Sequence, residues 1–516
     1  MNPPRFAGLL AGLLTLALNL SAGSPVGQFA DSADVGSPEI AGSTVYDPSL
    51  QHYRMSAGGI NMWGTTDQFQ FAWNKLKGDF IVRARVEWIG QGVDPHRKAG
   101  WIARKSLDHD SAYVDACVHA GDGLTSLQFR REKGAITEQL VLDLKGGDVV
   151  QLERRGNTWI FSSARYGETF VSQTLADLDL GEEPLVGLFL CSHNGQVKEE
   201  AVFKDVRIIQ PPKAGYVPYR DYIGAHLEIL NVHTGKLEIV HSSPVQFEAP
   251  NWKPDGRTLI VNVSGPGPDR GQLKTFDLVT KQVADLHTGT IGRNNNDHVL
   301  TFDGKMLGVS IHTPGEDNGR SVIYKLPSTG GEPVRVTPKS PSYFHGWSPD
   351  SQWLVYTGGR KHGADQKADK YDIYKIPAGG GEEIRLTSEG SLSDGPEFTP
   401  DGKWIYYNST RSGLMQLWRM RPDGSQQEQV TDDAFNNWFP HISPDGKWIA
   451  FISYGQDVRP EDHPYYKHCY LRLMPIEGGK PRVIAYVFGG QGTINVPSWS
   501  PDSTRVAFVS NTDNIR

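Results

Sequence analysis

The sequence predicts an all-β chain, a β-sandwich over 46–210 followed by a six-bladed β-propeller over 224–516. Two observations carry this. One turn phrase recurs six times in the C-terminal half, at a period that suits propeller blades. The region 46–210 is filled with alternating apolar and polar runs between turns, and contains no convincing amphipathic helix.

The clearest copy of the repeat is Ser443-Pro444-Asp445-Gly446-Lys447-Trp448-Ile449-Ala450-Phe451. It reads as a tight turn between two strands. Glycine accepts positive φ at little cost, and aspartate bonds its own backbone. Aligned on the turn aspartate, the copies fall at 255, 303, 350, 401, 445 and 502, with gaps of 48, 47, 51, 44 and 57 residues. Four short strands per unit of this length make a blade. The copy at 497–510 offers only two inner strands, whereas a hairpin at 227–240 (Leu227 to Asn231, then Lys236 to Val240) stands before the first copy. That hairpin is expected to complete the sixth blade, so the ring closes and leaves no open edge.

At 516 residues the chain needs more than one domain. Lys+Arg 52 against Asp+Glu 59 gives a formal net charge of −7. There is no basic face to support nucleic-acid binding. Arg5 followed by the apolar stretch Gly8 to Leu20 and the small residues Ser21 to Ser24 reads as a signal peptide over 1–23, too short to span a bilayer. No later stretch is apolar enough to cross a membrane. The expected location is therefore periplasmic or secreted. Residues 24–45 read as an extended lead-in and 211–223, opening on Pro211-Pro212, as a linker. Cys117 and Cys191 are placed either to pair or to stay buried free thiols, and Cys469 stands alone.

Within the sandwich region, Phe80 to Trp88 alternates almost perfectly. Tyr113 to His119, Leu124 to Arg130, Val149 to Arg154, Thr158 to Ser163, Leu185 to Cys191 and Val202 to Ile209 read as further strands. The phrases Trp73-Asn74-Lys75-Leu76-Lys77-Gly78-Asp79-Phe80, Ala99-Gly100-Trp101-Ile102-Ala103-Arg104, Leu152-Glu153-Arg154-Arg155-Gly156-Asn157 and Val186-Gly187-Leu188-Phe189 occur in an order that resembles the concanavalin-like (laminin-G or glucanase-type) sandwiches. That resemblance implies carbohydrate binding or a structural role. The Trp-Ser-Pro-Asp copies at Trp347 and Trp499, with the Ser443 to Phe451 copy, resemble TolB-type propeller repeats over roughly 225–516. This implies six blades and leaves function open, because the fold hosts scaffolds, receptors and enzymes.

In a propeller the innermost strands line the central channel, so the residues just before each turn aspartate should converge. His298 and His345 occupy the same place in adjacent copies, and His441 sits one residue away in the fifth. Asp297, Asp394 and Glu397 add carboxylates, and Tyr343, Trp438 and Phe439 add rings that can stack on sugars. Three histidines with a carboxylate or amide suit a divalent metal ion. The arrangement resembles oligogalacturonate lyases, whose channel-mouth histidines and a glutamine hold a divalent metal. The resemblance implies His298, His345 and His441 as ligands, with Gln491 as the best candidate for the glutamine. The alternative is that these histidines cap strands by bonding neighbouring carbonyls. Arg293, Arg360, Arg411 and Arg419 read either as contacts for an acidic sugar or as solvated blade edges. The insertion Asp462-His463-Pro464-Tyr465-Tyr466-Lys467-His468, in the longest gap, reads as a surface loop. No Gly-x-Ser-x-Gly elbow, P-loop or dinucleotide phrase is present.

The leading functional expectation is recognition of a polysaccharide or oligosaccharide. Metal-dependent lyase or glycoside-processing chemistry at the channel mouth would accompany it, with no catalytic residue assigned. The alternative is a non-catalytic interaction scaffold of the TolB type that binds a protein segment there.

Overall fold

The structure, a computed structural model, describes residues 25–217, 220–315, 317–361 and 370–515. The leader expected over 1–23 lies outside the described residues. No helix among them is long and apolar enough to cross a membrane.

The N-terminal half is a sandwich of two seven-stranded antiparallel sheets. One sheet runs in the order Asp31–Val35, Phe69–Lys75, Leu185–Cys191, Lys98–Arg104, Tyr113–His119, Thr125–Arg130 and Glu138–Val141. The other runs Val171–Leu175, Thr158–Ala164, Val149–Arg155, Phe80–Ile89, Glu199–Ile209, His52–Ala57 and Ser43–Asp47. Their facing sides bury Phe80, Trp101, Leu152, Trp159, Phe161 and Leu188 in one core. The segment read as a lead-in supplies two edge strands, Asp31–Val35 and Ser43–Asp47. Its Ser, Gly and Ala content hides an alternation that only pairing to Phe69–Lys75 and His52–Ala57 makes visible. All three cysteines are free and buried.

Six blades follow. Blades one to five are four-stranded sheets in sequence order, with innermost strands Phe247–Trp252, Arg293–Leu300, Ser342–Trp347, Ser393–Phe398 and Asn436–Ile442. Blade six joins the two ends of the propeller. Gly224–Asn231 pairs antiparallel with Arg505–Thr512 and, on its other side, with Leu237–Ser243. The innermost place of this blade is held by the segment around Ser498 and Trp499, bonded through a Trp499–Val506 bridge. The expected hairpin closure is therefore what holds the ring.

The repeated phrase is a hydrogen-bonding unit. In the last five copies the Ser or Thr hydroxyl (Thr301, Ser348, Thr399, Ser443, Ser500) donates to the turn aspartate at 2.5–2.7 Å. The same hydroxyl accepts the N–H of the residue that opens the next strand at 2.9–3.1 Å. In the first copy Lys253 stands there instead, and Asp255 bonds Thr258 directly. Two of the three tryptophans that open a copy latch neighbouring blades. Trp347 Nε1 donates to the Val299 carbonyl and Trp499 Nε1 to the His441 carbonyl, each at 2.9 Å. Replacing Trp499 with Phe keeps the buried ring but orphans that carbonyl. We expect Trp499→Phe to lower stability by about 1–2 kcal/mol, read as a lower urea midpoint.

The two halves pack face to face. Ile81 and Ile209 of the sandwich share a cluster with Tyr466 and Phe488 of blade five, and Val149 and Ala164 another with Val483 and Tyr486. Tyr166 Oη donates to the Ile484 carbonyl at 3.1 Å and Tyr486 Oη to that of Glu168 at 2.7 Å. Gln51 exchanges two bonds with the backbone of Ile239 on the outer strand of blade six. At the centre of the joint, Arg207 is bonded to Glu228 at 2.5 Å, both buried.

Candidate functional site

Each inner strand of blades one to five carries a β-bulge, between Glu248 and Asn251, Asn294 and His298, Phe344 and Gly346, Asp394 and Glu397, and Trp438 and His441. The bulge adds one unpaired residue in four of these strands and two in that of blade two, and it re-aims the side chains beyond it. The backbone at these points enters the left-handed region at Ala249, Asn296, Gly395 and Phe439. At Gly395 a β-carbon would meet Asn408 Oδ1 at 2.7 Å and the ring of Phe439 at 2.9 Å, so glycine is required there for space as well as for φ +61°.

The bulges split the inner-strand residues between two cavities. Residues at or before the bulge (Glu248, Asn294, Asn295, Asn296, Asp297, Tyr343, His345, Asp394, Phe439) line a cavity of about 960 Å³. Residues after it, including Asn251, Glu397 and Ile442, line a smaller one of about 280 Å³ at the other end of the strands. Positions one or two apart in sequence thus serve opposite ends of the channel.

This redistributes the predicted site. Asp297, Asp394, Tyr343, His345 and Gln491 reach the larger cavity. Glu397 does not. It accepts from His441 Nδ1 at 2.7 Å and from the Ile442 N–H at 2.9 Å, beside the smaller cavity. His441 also contacts the Ile494 carbonyl through Nε2 at 2.5 Å. His298 is fully buried, with Nδ1 2.7 Å from the Asn296 carbonyl and Nε2 3.3 Å from that of Ile260. Burial pushes its pKa down to about 4 despite those two carbonyls. Both ring nitrogens of His298 and His441 are therefore used inside the protein, as strand-capping histidines would be, and the predicted four-residue metal set does not converge. Among the described residues no three His, Cys, Asp or Glu side chains of the propeller gather at metal-ligand spacing. Trp438 is 1 % exposed and packs beneath the cavity wall, its ring 4.5 Å from that of His463. Of the four arginines, Arg293 lines the cavity, whereas Arg360, Arg411 and Arg419 bond Glu383, Gln427 and Glu428 on the blades.

The centre of the larger cavity is Asp394. Its Oδ1 accepts from the Thr357 hydroxyl at 2.6 Å and from the Gly395 N–H at 2.8 Å, and lies 3.2 Å from His345 Nε2. Its Oδ2 lies 3.0 Å from His463 Nε2. Burial opposes the charge, but the hydrogen bonds and charges of His345 and His463 outweigh it and hold the carboxyl well below the usual carboxylate range. His345, although buried, is pushed up by Asp394 and stacks 6.0 Å from Phe439. Asp297 goes the other way: burial raises it, His345 opposes the rise, and the negative Asp394 adds to it. Its Oδ1 receives the Asn495 amide at 3.3 Å. Glu248, buried on blade one, is raised to about 7, burial outweighing its bonds to Ser264, Asn296 and Asn262, with Asp297 adding to the rise.

Two wall residues, His463 and Tyr465, come from the insertion read as a surface loop, and a third, Glu461, immediately precedes it. The available signal was the 57-residue gap between the last two copies, since a loop that exceeds the repeat is free to fold over the mouth. His468, from the same segment, leaves the cavity and contacts Glu153 of the sandwich at 2.9 Å.

Comparison with known proteins agrees with this architecture. Residues 347–463 match the TolB beta propeller domain. An uncharacterised protein of Agrobacterium fabrum is 42% identical over 284 residues, which cover 55% of this chain and 91% of that one. A solved structure of a candidate TolB from Agrobacterium tumefaciens shares 42% identity at a TM-score of 0.51, covering 56% of this chain and 99% of the other. An oligogalacturonate lyase solved with manganese shares 14% identity at a TM-score of 0.35, over 59% of this chain and 95% of its own, a distant likeness that says nothing about chemistry here. The propeller half of this chain belongs to the TolB-like β-propeller family.

Proposed function

We propose that this chain is an exported, non-catalytic recognition propeller that captures an extended segment of a partner protein in the larger cavity. One observation carries the reading: the cavity wall is preformed for a polar, amide-bearing chain. Side-chain amides from Asn262, Asn294, Asn295, Asn296 and Gln491 face the space, with rings of Tyr343, Tyr371 and Phe439 among them. Amides pair both donors and acceptors of a peptide backbone, and tyrosines add contact area at low entropic cost. The carboxylate at the centre is already clamped by two histidines, so it serves to set the wall and to meet a cationic side chain. The likeness to TolB supports a protein partner over a glycan. The exported location rests on the leader-like start of the sequence.

A second reading keeps one supporting observation. Asp297 is pushed up while Asp394 is held down in one cavity, a split that acid–base chemistry uses. Peptide and acidic-oligosaccharide libraries screened against the wild type and Tyr343→Ala separate the two. We expect a peptide ligand whose affinity falls at least about tenfold in Tyr343→Ala, a loss of about 1.4 kcal/mol. Cleavage of an oligosaccharide, abolished in Asp297→Asn, would overturn the non-catalytic reading.

A further inference from the structure

The sandwich brings together a cluster that the propeller does not. Three loops meet at one end of it: the segment before strand Lys98–Arg104, the turn after strand Tyr113–His119, and the stretch after strand Leu185–Cys191. Cys191, Lys98 and His119 stand side by side across these neighbouring strands. The loops are wired to each other by backbone. Gly121 N–H and Asp122 N–H both donate to the Pro95 carbonyl, at 3.0 and 3.3 Å, and Ala120 N–H donates to Arg97 at 3.1 Å. Beneath them the buried Arg97 bonds Glu199 at 2.5 Å and the Gly90 carbonyl at 2.8 Å.

On that frame His96, His119 and Asp122 each place a ligand atom within 4.8 Å of the other two. Asp122 Oδ2 lies 2.9 Å from His96 Nδ1, and its Oδ1 lies 3.2 Å from His119 Nδ1. His119 is 7 % exposed, and its Nε2 is buried without a hydrogen-bond partner. The ring of His193 stands 5.3 Å from that of His96, with its Nδ1 3.2 Å from Asp94 Oδ1. Asp94 Oδ1 also accepts the His96 N–H at 2.7 Å, which fixes the His96 backbone.

We propose that His96, His119 and Asp122 form a site for a divalent first-row transition metal, with Asp94 and His193 as its supporting shell. Two imidazoles and one carboxylate are a ligand set that suits zinc and its neighbours, whereas calcium and magnesium prefer oxygen alone. His96 and Asp122 are exposed, so a fourth position stays open to solvent or to an oxygen of a bound molecule. The charge balance permits a cation. Asp94 and Asp122 face it, Arg97 is neutralised by Glu199, and the ammonium of Lys98 is turned to Asn61 Oδ1 at 3.2 Å. This site is independent of the propeller cavity.

Titration calorimetry of the chelator-treated full chain with Zn²⁺ tests the proposal. We expect one ion per chain, bound at least about tenfold more weakly by His96→Ala and by Asp122→Asn. Both side chains are exposed, so neither change threatens folding. Replacing Zn²⁺ by Co²⁺ should give the visible d–d absorption of a low-coordinate site, lost in the same variants. No uptake by the wild type, equal uptake by both variants, or a loss confined to His345→Ala would each overturn it, the first two leaving a metal-free His–Asp–His clamp.

Discussion

Replacing Arg207 with Ala should cost about 3–5 kcal/mol of stability, among the largest single losses available outside the apolar cores. The guanidinium of Arg207 leaves the sandwich and bonds Glu228 of blade six, and the two side chains are 7 % and 2 % exposed. Glu228 also accepts from the Ser510 hydroxyl, on the strand that closes the ring. Burial would raise the Glu228 carboxyl, but Arg207 outweighs it and holds the group charged. Removing Arg207 leaves that charge buried with one hydroxyl for a partner. The damage falls on two structures at once, the domain joint and the strand Gly224–Asn231 that fastens the propeller. We therefore expect denaturation of Arg207→Ala to resolve into two transitions where the wild type shows one, with the propeller melting first. A double change, Arg207→Met with Glu228→Leu, should recover most of the loss, because a well-packed apolar pair avoids the desolvation cost. A single, unshifted transition in Arg207→Ala would show that the joint is held by the tyrosine and isoleucine contacts alone.

What was legible in the sequence is what local bonding determines. Ser443-Pro444-Asp445-Gly446 announces a turn because the hydroxyl, the carboxylate and the glycine φ all act within a few residues. The closure of blade six was legible from the unpaired hairpin at 227–240. The joint was not: Pro211-Pro212 reads as a linker, and the pairing of Arg207 with Glu228 or of Gln51 with Ile239 leaves no mark on the chain. The channel was half legible. Asp297, Asp394, Tyr343 and His345, which stand near the turn aspartates of their copies, line one cavity, and so does Gln491, which was named from the resemblance to oligogalacturonate lyases and not from the repeat. Glu397 and His441 fall away because strand side chains alternate with period two and one bulge residue sends the next side chain elsewhere, and His298 lies beyond a wider irregularity of two extra residues. His463 was hidden for a different reason. Its spacing from His468 says nothing about where a loop folds, and the two end at opposite faces, one on Asp394 and one on Glu153.

Glu248 should make the chain lose stability as pH rises from about 4.5 to about 7, by about 3 kcal/mol. Its ordinary value is 4.5 and burial carries it to about 7 in the folded protein. Below that window the carboxyl is protonated folded and unfolded, and contributes nothing. Within it the unfolded chain releases the proton while the folded chain keeps it, so each rise in pH favours unfolding. Above it both forms are ionised and the full cost of the buried charge remains. Other groups act over the same range: His298, pushed down to about 4, works in the opposite direction, and Asp297, also raised, works in the same one. The difference between the wild type and Glu248→Gln removes what they share. The variant should match the wild type near pH 4 and exceed it by up to about 3 kcal/mol near pH 8, read as denaturation midpoints across that range. A difference that stays constant with pH would mean that Glu248 is ionised throughout. Because Glu248 lines the larger cavity, the same titration makes that cavity one charge more negative above neutrality. A segment with a basic side chain should then bind more tightly at pH 8 than at pH 6, and Glu248→Gln should reduce the difference, the remainder belonging to His345 and Asp297, whose raised groups share the cavity.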